Sequence, residues 1–471
     1  MHFRLIALVV AWAAMALAAT VPAQNLPTVT LEDLPQNTTA INTKVLENPV
    51  VFGYTYETGV GPNDISWGTL THLVIAFFDT DNAGNIATRS DSIPALVAAA
   101  QKAKVKVLAS VGGDGGGSQS LAMALSVAKS RATLAASLVS VVKTYKLDGV
   151  DYDFEFPSTP DQLTGLYEGL KAQRTALDAA FGKGGRLLTT TLYSTNGQFG
   201  PQIKAADVKP YAALVDYGLL MSYDYFGGFS KFSGPNAPFN DVPGYTGLSF
   251  TSSIASWVGA GWDPAKLVAG LPYYGRSTQV SGGGTPKGQF MPSAGNGAPG
   301  PVSQIAGAWT WFDLRDPTHG ALASPSAPAP GWQRYWDSTT MTPWLYHNGT
   351  QTYIGYDDQQ SLTTKTNHII TSGLAGAMVW MAQYDYKGEL GTVLTTYRST
   401  CTRLAKEIIK EEESSSEAES SSEESSTSRE SSEHDGGHLD SSTAAAPALL
   451  APSAAALLSA VAVALAALIC V

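Results

Sequence analysis

Cysteine is nearly absent from this chain: two in 471 residues, Cys401 and Cys470. No disulfide framework can staple it, so the fold must rest on a hydrophobic core. Histidine is scarce as well, seven residues without clustered spacing, and no metal-ligand constellation is present in the sequence. Charge of one sign is confined to one place. The chain carries a net −11, but between residues 411 and 440 nine glutamates and two aspartates stand against a single arginine. Nearly all the net charge sits there, so the acidic balance says little about the folded part's ligand, and no nucleic-acid partner is called for. Long apolar runs are missing except at the two ends.

Those ends read as processing signals. Residues 1–23 combine a basic Arg4, an apolar run over 5–19 and small residues at 21–23, the pattern of a secretory signal peptide. Residues 24–47 are polar and read as a loose lead-in. Residues 406–442 form a Ser/Glu-rich stalk that cannot bury a core and is expected to be extended and solvated. Residues 443–471 are small and then apolar with no basic residue after them, the pattern of a glycosylphosphatidylinositol (GPI) anchor signal; a plain membrane span is the alternative. Removal of that tail leaves Cys401 as the only thiol. Asn37 and Asn348 begin N-glycosylation sequons, usable in a secreted chain.

The informative stretch lies at residues 147–157, Leu-Asp-Gly-Val-Asp-Tyr-Asp-Phe-Glu-Phe-Pro. Apolar and acidic residues alternate with period two, as in a β-strand. Asp151, Asp153 and Glu155 share one face; Val150, Tyr152, Phe154 and Phe156 share the other. A solvated edge strand can alternate too, but it has no need of four large apolar side chains on its other face. The strand is therefore covered, and its acids point into something enclosed. Three enclosed carboxylates resist ionisation and are costly unless they do chemistry.

Strand-like runs recur at residues 50–54, 73–78, 105–110, 149–156, 187–192, 217–223, 267–271 and 376–380, with Ala-rich amphipathic segments over 92–104, 121–143 and 160–181. Eight such units predict an α/β fold, a (β/α)8 TIM barrel, over residues 48–276 and 363–405. Residues 277–362, rich in Gly, Pro and Trp, predict a small α+β insertion between strands 7 and 8. In a parallel barrel the C-terminal strand ends form the mouth, which is where Glu155 falls.

The pattern Asp148-Gly149-Val150-Asp151-Tyr152-Asp153-Phe154-Glu155 resembles the catalytic strand of glycoside hydrolase family 18, the chitinases and their relatives. Ser110-Val111-Gly112-Gly113, Met221-Ser222-Tyr223-Asp224, Pro272-Tyr273-Tyr274-Gly275-Arg276, Ile354-Gly355-Tyr356-Asp357-Asp358 and Ala377-Met378-Val379-Trp380 are similar to further motifs of that family, in order. The resemblance implies hydrolysis of a β-1,4 bond after N-acetylglucosamine, with retention and with the substrate's acetamide as nucleophile. It implies no cofactor and no metal, a monomer, and chitin or its oligosaccharides as partner.

By the same resemblance Glu155 is the general acid, Asp153 holds the acetamide N–H, Asp151 shares a proton with Asp153, and Tyr223 donates to the acetamide carbonyl. Trp380 and Met221 form the apolar floor, Asp224 and Arg276 are polar contacts, Tyr54 and Ser110 hydrogen-bond the inner acids, and Phe77 and Gly113 belong to the sugar site. Without the family, Tyr54 and Met221 read as barrel core. The tryptophans of the insertion (309, 311, 332, 336 and 344) read mainly as small-domain core, with one or two reaching the cleft. Asp148 reads as a strand-entry residue. The sequence also departs from the family. A flexible Asp114-Gly115-Gly116-Gly117 loop replaces a frequent Trp, and Phe154, Phe156 and Phe229 replace larger aromatics. Fewer platforms predict an endo-acting enzyme on soluble or amorphous chitin. An endo-β-N-acetylglucosaminidase and a lectin-like binder without catalysis are the alternatives; the latter typically lacks the terminal acid.

Overall fold

The structure is a computed structural model and describes residues 28–34, 43–87, 91–194, 207–281 and 288–430, with side chains to 416. Eight parallel strands close a barrel. In chain order they are Val50–Tyr56, His72–Phe78, Lys106–Gly112, Gly149–Asp153, Leu187–Leu192, Tyr217–Leu220, Leu267–Pro272 and Gly376–Trp380. The first strand closes the circle by pairing with both the second and the eighth. The predicted (β/α)8 architecture is present.

Side-chain alternation builds two cores. Val51, Leu73, Ile75, Val107, Ala109, Val150, Tyr152 and Leu188 point outward and pack under the helices. Phe52, Tyr54, Val74, Ala76, Leu108, Leu219, Val268 and Met378 point inward and fill the barrel. Burial on both faces explains why most strands read as apolar runs. The helices follow from their own spacing. In Ile93–Lys102 the buried residues are Ile93, Leu96, Val97 and Ala100, a single stripe at helical period. Helix Pro160–Phe181 starts with Pro at its first position and with the Thr159 side chain accepting from the Gln162 amide. Ala128–Tyr145 ends at Lys146 in the left-handed region, φ 55°.

The insertion follows the seventh strand directly. A six-stranded antiparallel sheet is built from Tyr274–Val280, Ser293–Asn296, Ala308–Thr310, Trp332–Asp337, Thr342–His347 and Thr352–Gly355. Its first strand begins at Tyr274, ahead of residue 277. Helix Gln359–Thr371, which returns the chain to the eighth barrel strand, crosses residue 362. Arg315 ties the insertion to the barrel by an ion pair with Glu389 at 2.9 Å.

Five expectations need correction. The fourth strand ends at Asp153, so Glu155 and Phe156 stand on the loop beyond it. Phe156 accordingly leaves the apolar face it was assigned and turns into the cleft, edge-on to Tyr193 at 4.6 Å. The sixth strand stops at Leu220, which puts Met221, Tyr223 and Asp224 on the following loop. The lead-in is not loose where it is described: Val29, Leu34 and Leu46 are buried, and Arg403 donates to the Val29 carbonyl at 2.6 Å. Finally, helix Gly391–Glu430 carries the glutamate-rich stretch well past residue 411, where extended chain was expected. Glu is a good helix former, and extending a formed helix fixes one residue per added bond, so local propensity outweighs like-charge repulsion.

Asn37 and the two terminal signals lie outside the described residues. Among the described residues no single helix is long and apolar enough to cross a membrane. Asn348 is exposed in the turn between Thr342–His347 and Thr352–Gly355, and Cys401 is buried.

The motif that closes the insertion earns its place through a buried pair. Lys365 of helix Gln359–Thr371 donates to Asp357 at 2.6 Å and to the Ala237 carbonyl at 2.6 Å, and both side chains are fully buried. Lys365→Met would strand the Asp357 carboxylate, and a loss of about 3–5 kcal/mol in denaturant unfolding is expected. Pairing it with Asp357→Leu should recover most of that loss.

Candidate active site

Asp151 lies deepest and is fully buried. Three hydroxyls converge on it: Tyr54 at 2.8 Å and Ser110 at 2.7 Å on one oxygen, Thr189 at 2.6 Å on the other. Asp153, one pleat nearer the mouth, accepts from Thr191 at 2.8 Å and makes a side-chain hydrogen bond with Glu155. In this arrangement Asp153 faces Glu155, whereas the sequence reading paired it with Asp151. The three donors already on Asp151 leave it no comparable need for a shared proton.

The electrostatics follow from burial. Desolvation raises Asp151, and its three hydrogen bonds oppose the shift. Asp153 is pushed well above the carboxylate range, first by burial and then by the charges of Glu155 and Asp151. Burial, with Asp114 and Asp224 nearby, raises Glu155 to about 7. Near neutrality the Asp153–Glu155 pair therefore holds a proton. Tyr223 is likewise raised, by burial and then by the neighbouring acids, and stays a hydrogen-bond donor.

Glycines let these parts meet. A side chain on Gly112 (φ 112°) would run into the Asp153 carbonyl, and one on Gly113 (φ 82°) would strike the ring of Phe77. The Gly113 amide donates to the Asp153 carbonyl at 2.8 Å. Ser118, in helix Gly116–Ser126, accepts from the Glu155 amide at 2.7 Å and so sets the height of the acid. The Asp114-Gly115 turn thus leads straight into a helix, where a four-residue flexible loop was expected.

Above the acids opens a cleft of ≈ 650 Å³. Trp380 lies in it, stacked on Phe77 at 6.0 Å and tilted on Tyr54 at 5.3 Å. Met221 and Met378 add apolar floor, and the Tyr223 hydroxyl contacts the Met378 sulfur at 3.7 Å. On one side Asp224 is clamped by Tyr274 at 2.7 Å and by Arg276 through two nitrogens. The insertion contributes Ile305, Ala308 and Thr310.

Of the sequence-predicted residues, Tyr54, Phe77, Asp153, Glu155, Met221, Tyr223, Asp224, Arg276 and Trp380 line this cleft. Ser110 and Gly113 do not. Both are buried beneath it, so their work is to hold Asp151 and to seat Phe77, not to touch sugar. The insertion's tryptophans stay off the lining: Trp309, Trp311 and Trp344 are buried in core. Asp148 accepts from the Val107 amide at 2.8 Å, a strand-entry role. Sequence reasoning missed Thr189, Thr191, Ser118, Tyr193, Met378 and Tyr384. For the two threonines there was a signal, since they alternate with period two on a buried strand beside the acidic one.

The model for "Glycosyl hydrolases family 18" matches residues 50–385. The chain belongs to glycosyl hydrolase family 18. Among its relatives, a "chitinase-like effector" of Moniliophthora roreri is 28% identical over 376 residues, covering 70% of this chain and 89% of its own length. "Chitinase A1" of Niallia circulans is 30% identical over 275 residues, covering 55% of this chain and 38% of the relative. A chitinase structure from Rhizomucor miehei superposes with TM-score 0.64 at 26% identity, covering 74% of this chain and all of that one.

The raised Glu155 predicts a pH dependence. A catalytic role for the protonated Glu155 carboxyl would be lost as pH rises through its pKa, which would put the alkaline limb of a rate profile near pH 7. Asp114→Asn removes a neighbouring negative charge and should move that limb to lower pH in a rate profile. Stability follows the same sign. Because the folded value lies above the ordinary glutamate value of 4.5, stability drains as pH rises from there to about 7. Glu155→Gln should therefore gain on the parent across that window, by up to about 3 kcal/mol in denaturant unfolding.

Proposed function

We propose that this chain is a retaining chitinase acting by substrate assistance, with Glu155 as general acid. The observation that carries the reading is the buried, facing Glu155–Asp153 carboxyl pair beneath an aromatic-floored cleft, where burial favours a retained proton. A pyranose seated on Trp380 presents its apolar face to the indole. Glu155 gives its proton to the glycosidic oxygen as the C1–O bond breaks. The acetamide oxygen bonds to C1 from the opposite side and closes an oxazolinium ring. Asp153 accepts from the acetamide N–H and balances the developing positive charge, while Tyr223 donates to the acetamide oxygen and orients it. Water then attacks C1, Glu155 takes its proton, and the ring reopens with net retention.

The wall supplied by the insertion deepens the cleft, which favours a polymeric chitin substrate over an N-glycan core. The presence of Glu155 argues against a purely lectin-like role. With Asp114 where an aromatic platform is frequent, the enzyme is endo-acting on soluble or amorphous chains; long processive runs on crystalline chitin would contradict this. From the terminal sequences, the protein is secreted and held at the cell surface by a GPI anchor.

Cleavage of a labelled, fully acetylated chitin hexamer tests the chemistry. The full-length protein should cut it, and Glu155→Gln should be slower by about 10²–10⁴-fold. Binding without cleavage in the parent would instead support the lectin. Phosphatidylinositol-specific phospholipase C should release the protein from intact cells; retention after treatment would favour a membrane span.

A further inference from the structure

One carboxylate in the cleft has no task in the scheme above. Asp114 follows Gly113 off the third strand, lines the cleft and is exposed. Every other acid there is engaged: Asp153 with Thr191 and Glu155, Asp224 with Tyr274 and Arg276. Asp114 makes no hydrogen bond or ion pair among the described residues. Nothing screens its flank either, because side chains on Gly115 or Gly116 would meet no atom within 4 Å. Its charge is nonetheless felt at the reacting centre, since after burial it is the largest influence holding the Glu155 carboxyl up.

An unpaired carboxylate gains little from a neutral N-acetylglucosamine, which offers it only hydroxyl donors. It gains more from a cation. The reaction limits where a cationic sugar can sit. The sugar over Trp380 must keep its acetamide, which is the nucleophile; the sugars on either side of it take no part in ring closure, and the one on the leaving side is joined through the oxygen that receives the proton of Glu155, the acid that Asp114 influences. If that sugar is deacetylated, its C2 amine is an ammonium in mildly acidic solution.

We propose that Asp114 is a specificity-determining residue, and that the cleft takes partly N-deacetylated chitin with a glucosamine ammonium beside Asp114 on the leaving side of the bond. The proposal rests on the glycosidase reading and goes beyond it in substrate class. A carboxylate whose only effect was to hold up the Glu155 proton would alter rates and pH profiles without altering which sugar flanks the cut.

The test is digestion of partly N-deacetylated chitin oligomers by the full-length protein, with mass-spectrometric sequencing of the new non-reducing ends. A fully acetylated hexamer is digested in parallel. Glucosamine should be enriched at the new ends over its frequency in the substrate by about two- to fivefold, the range of a solvent-accessible ion pair. Enrichment should vanish in Asp114→Asn and turn to depletion in Asp114→Lys. It should also shrink between 0.1 M and 1 M salt, as the screening length falls from about 10 Å to about 3 Å. Equal glucosamine frequency in the parent and both variants, with the acetylated hexamer still cut, overturns the proposal and leaves the glycosidase standing. If no protein cuts the acetylated hexamer, the glycosidase reading fails and the proposal falls with it.

Discussion

Three carboxylates on the inward face of one barrel strand and the loop beyond it constrain most of what surrounds them. Desolvation acts on all three, and each neighbour raises the cost of the next charge. The structure meets that cost unevenly. Asp151 is surrounded by three hydroxyl donors from the first, third and fifth strands, whereas Asp153 has Thr191 and otherwise leans on Glu155. The asymmetry leaves a mobile proton at the outer end of the row, where the cleft opens. Proton-holding at Glu155 is thus a property of the whole row.

The same constraint accounts for small residues that carry no chemistry. Gly112 exists so that the Asp153 carbonyl can pass within contact of the third strand, and Gly113 so that the Phe77 ring can lie flat over its backbone. Ser118 then takes the Glu155 amide from a helix that starts only three residues after Gly113. Phe77 in turn supports Trp380. A sequence motif that looks like a loop signature is therefore a packing device joining the second, third, fourth and eighth strands at the mouth.

The insertion serves the site from outside the barrel. Its first strand starts at Tyr274, so the residue that clamps Asp224 is also the residue that launches the sheet. Arg276 lies two positions on, on the same face by strand alternation, and completes the clamp. The insertion's tryptophans are consumed in making its own core and its junction with the barrel, as Trp311 does in donating to Glu389. What the insertion offers the cleft is shape, through Ile305, Ala308 and Thr310.

Period-two alternation and spacing were enough to read the barrel, the acidic face and the inward Tyr54, because these depend on local pattern: a strand covered on both sides must alternate inside and outside. The loop-borne Tyr223 and Asp224, and Trp380 at the last position of the eighth strand, were legible only by family resemblance. Tyr193, Tyr384 and Met378 were not legible at all, since no local rule says which end of a strand or which loop faces a cavity made by distant segments. The sequence by itself determined which side chains could be acids, donors and platforms. Only the tertiary structure decided which acids are solvated and which are not, and therefore where the proton resides and why, among the described acids lining the cleft, Asp114 is the one left with a free charge. Desolvation depends on everything packed around a group, and that is a property of the closed barrel, not of any stretch of chain.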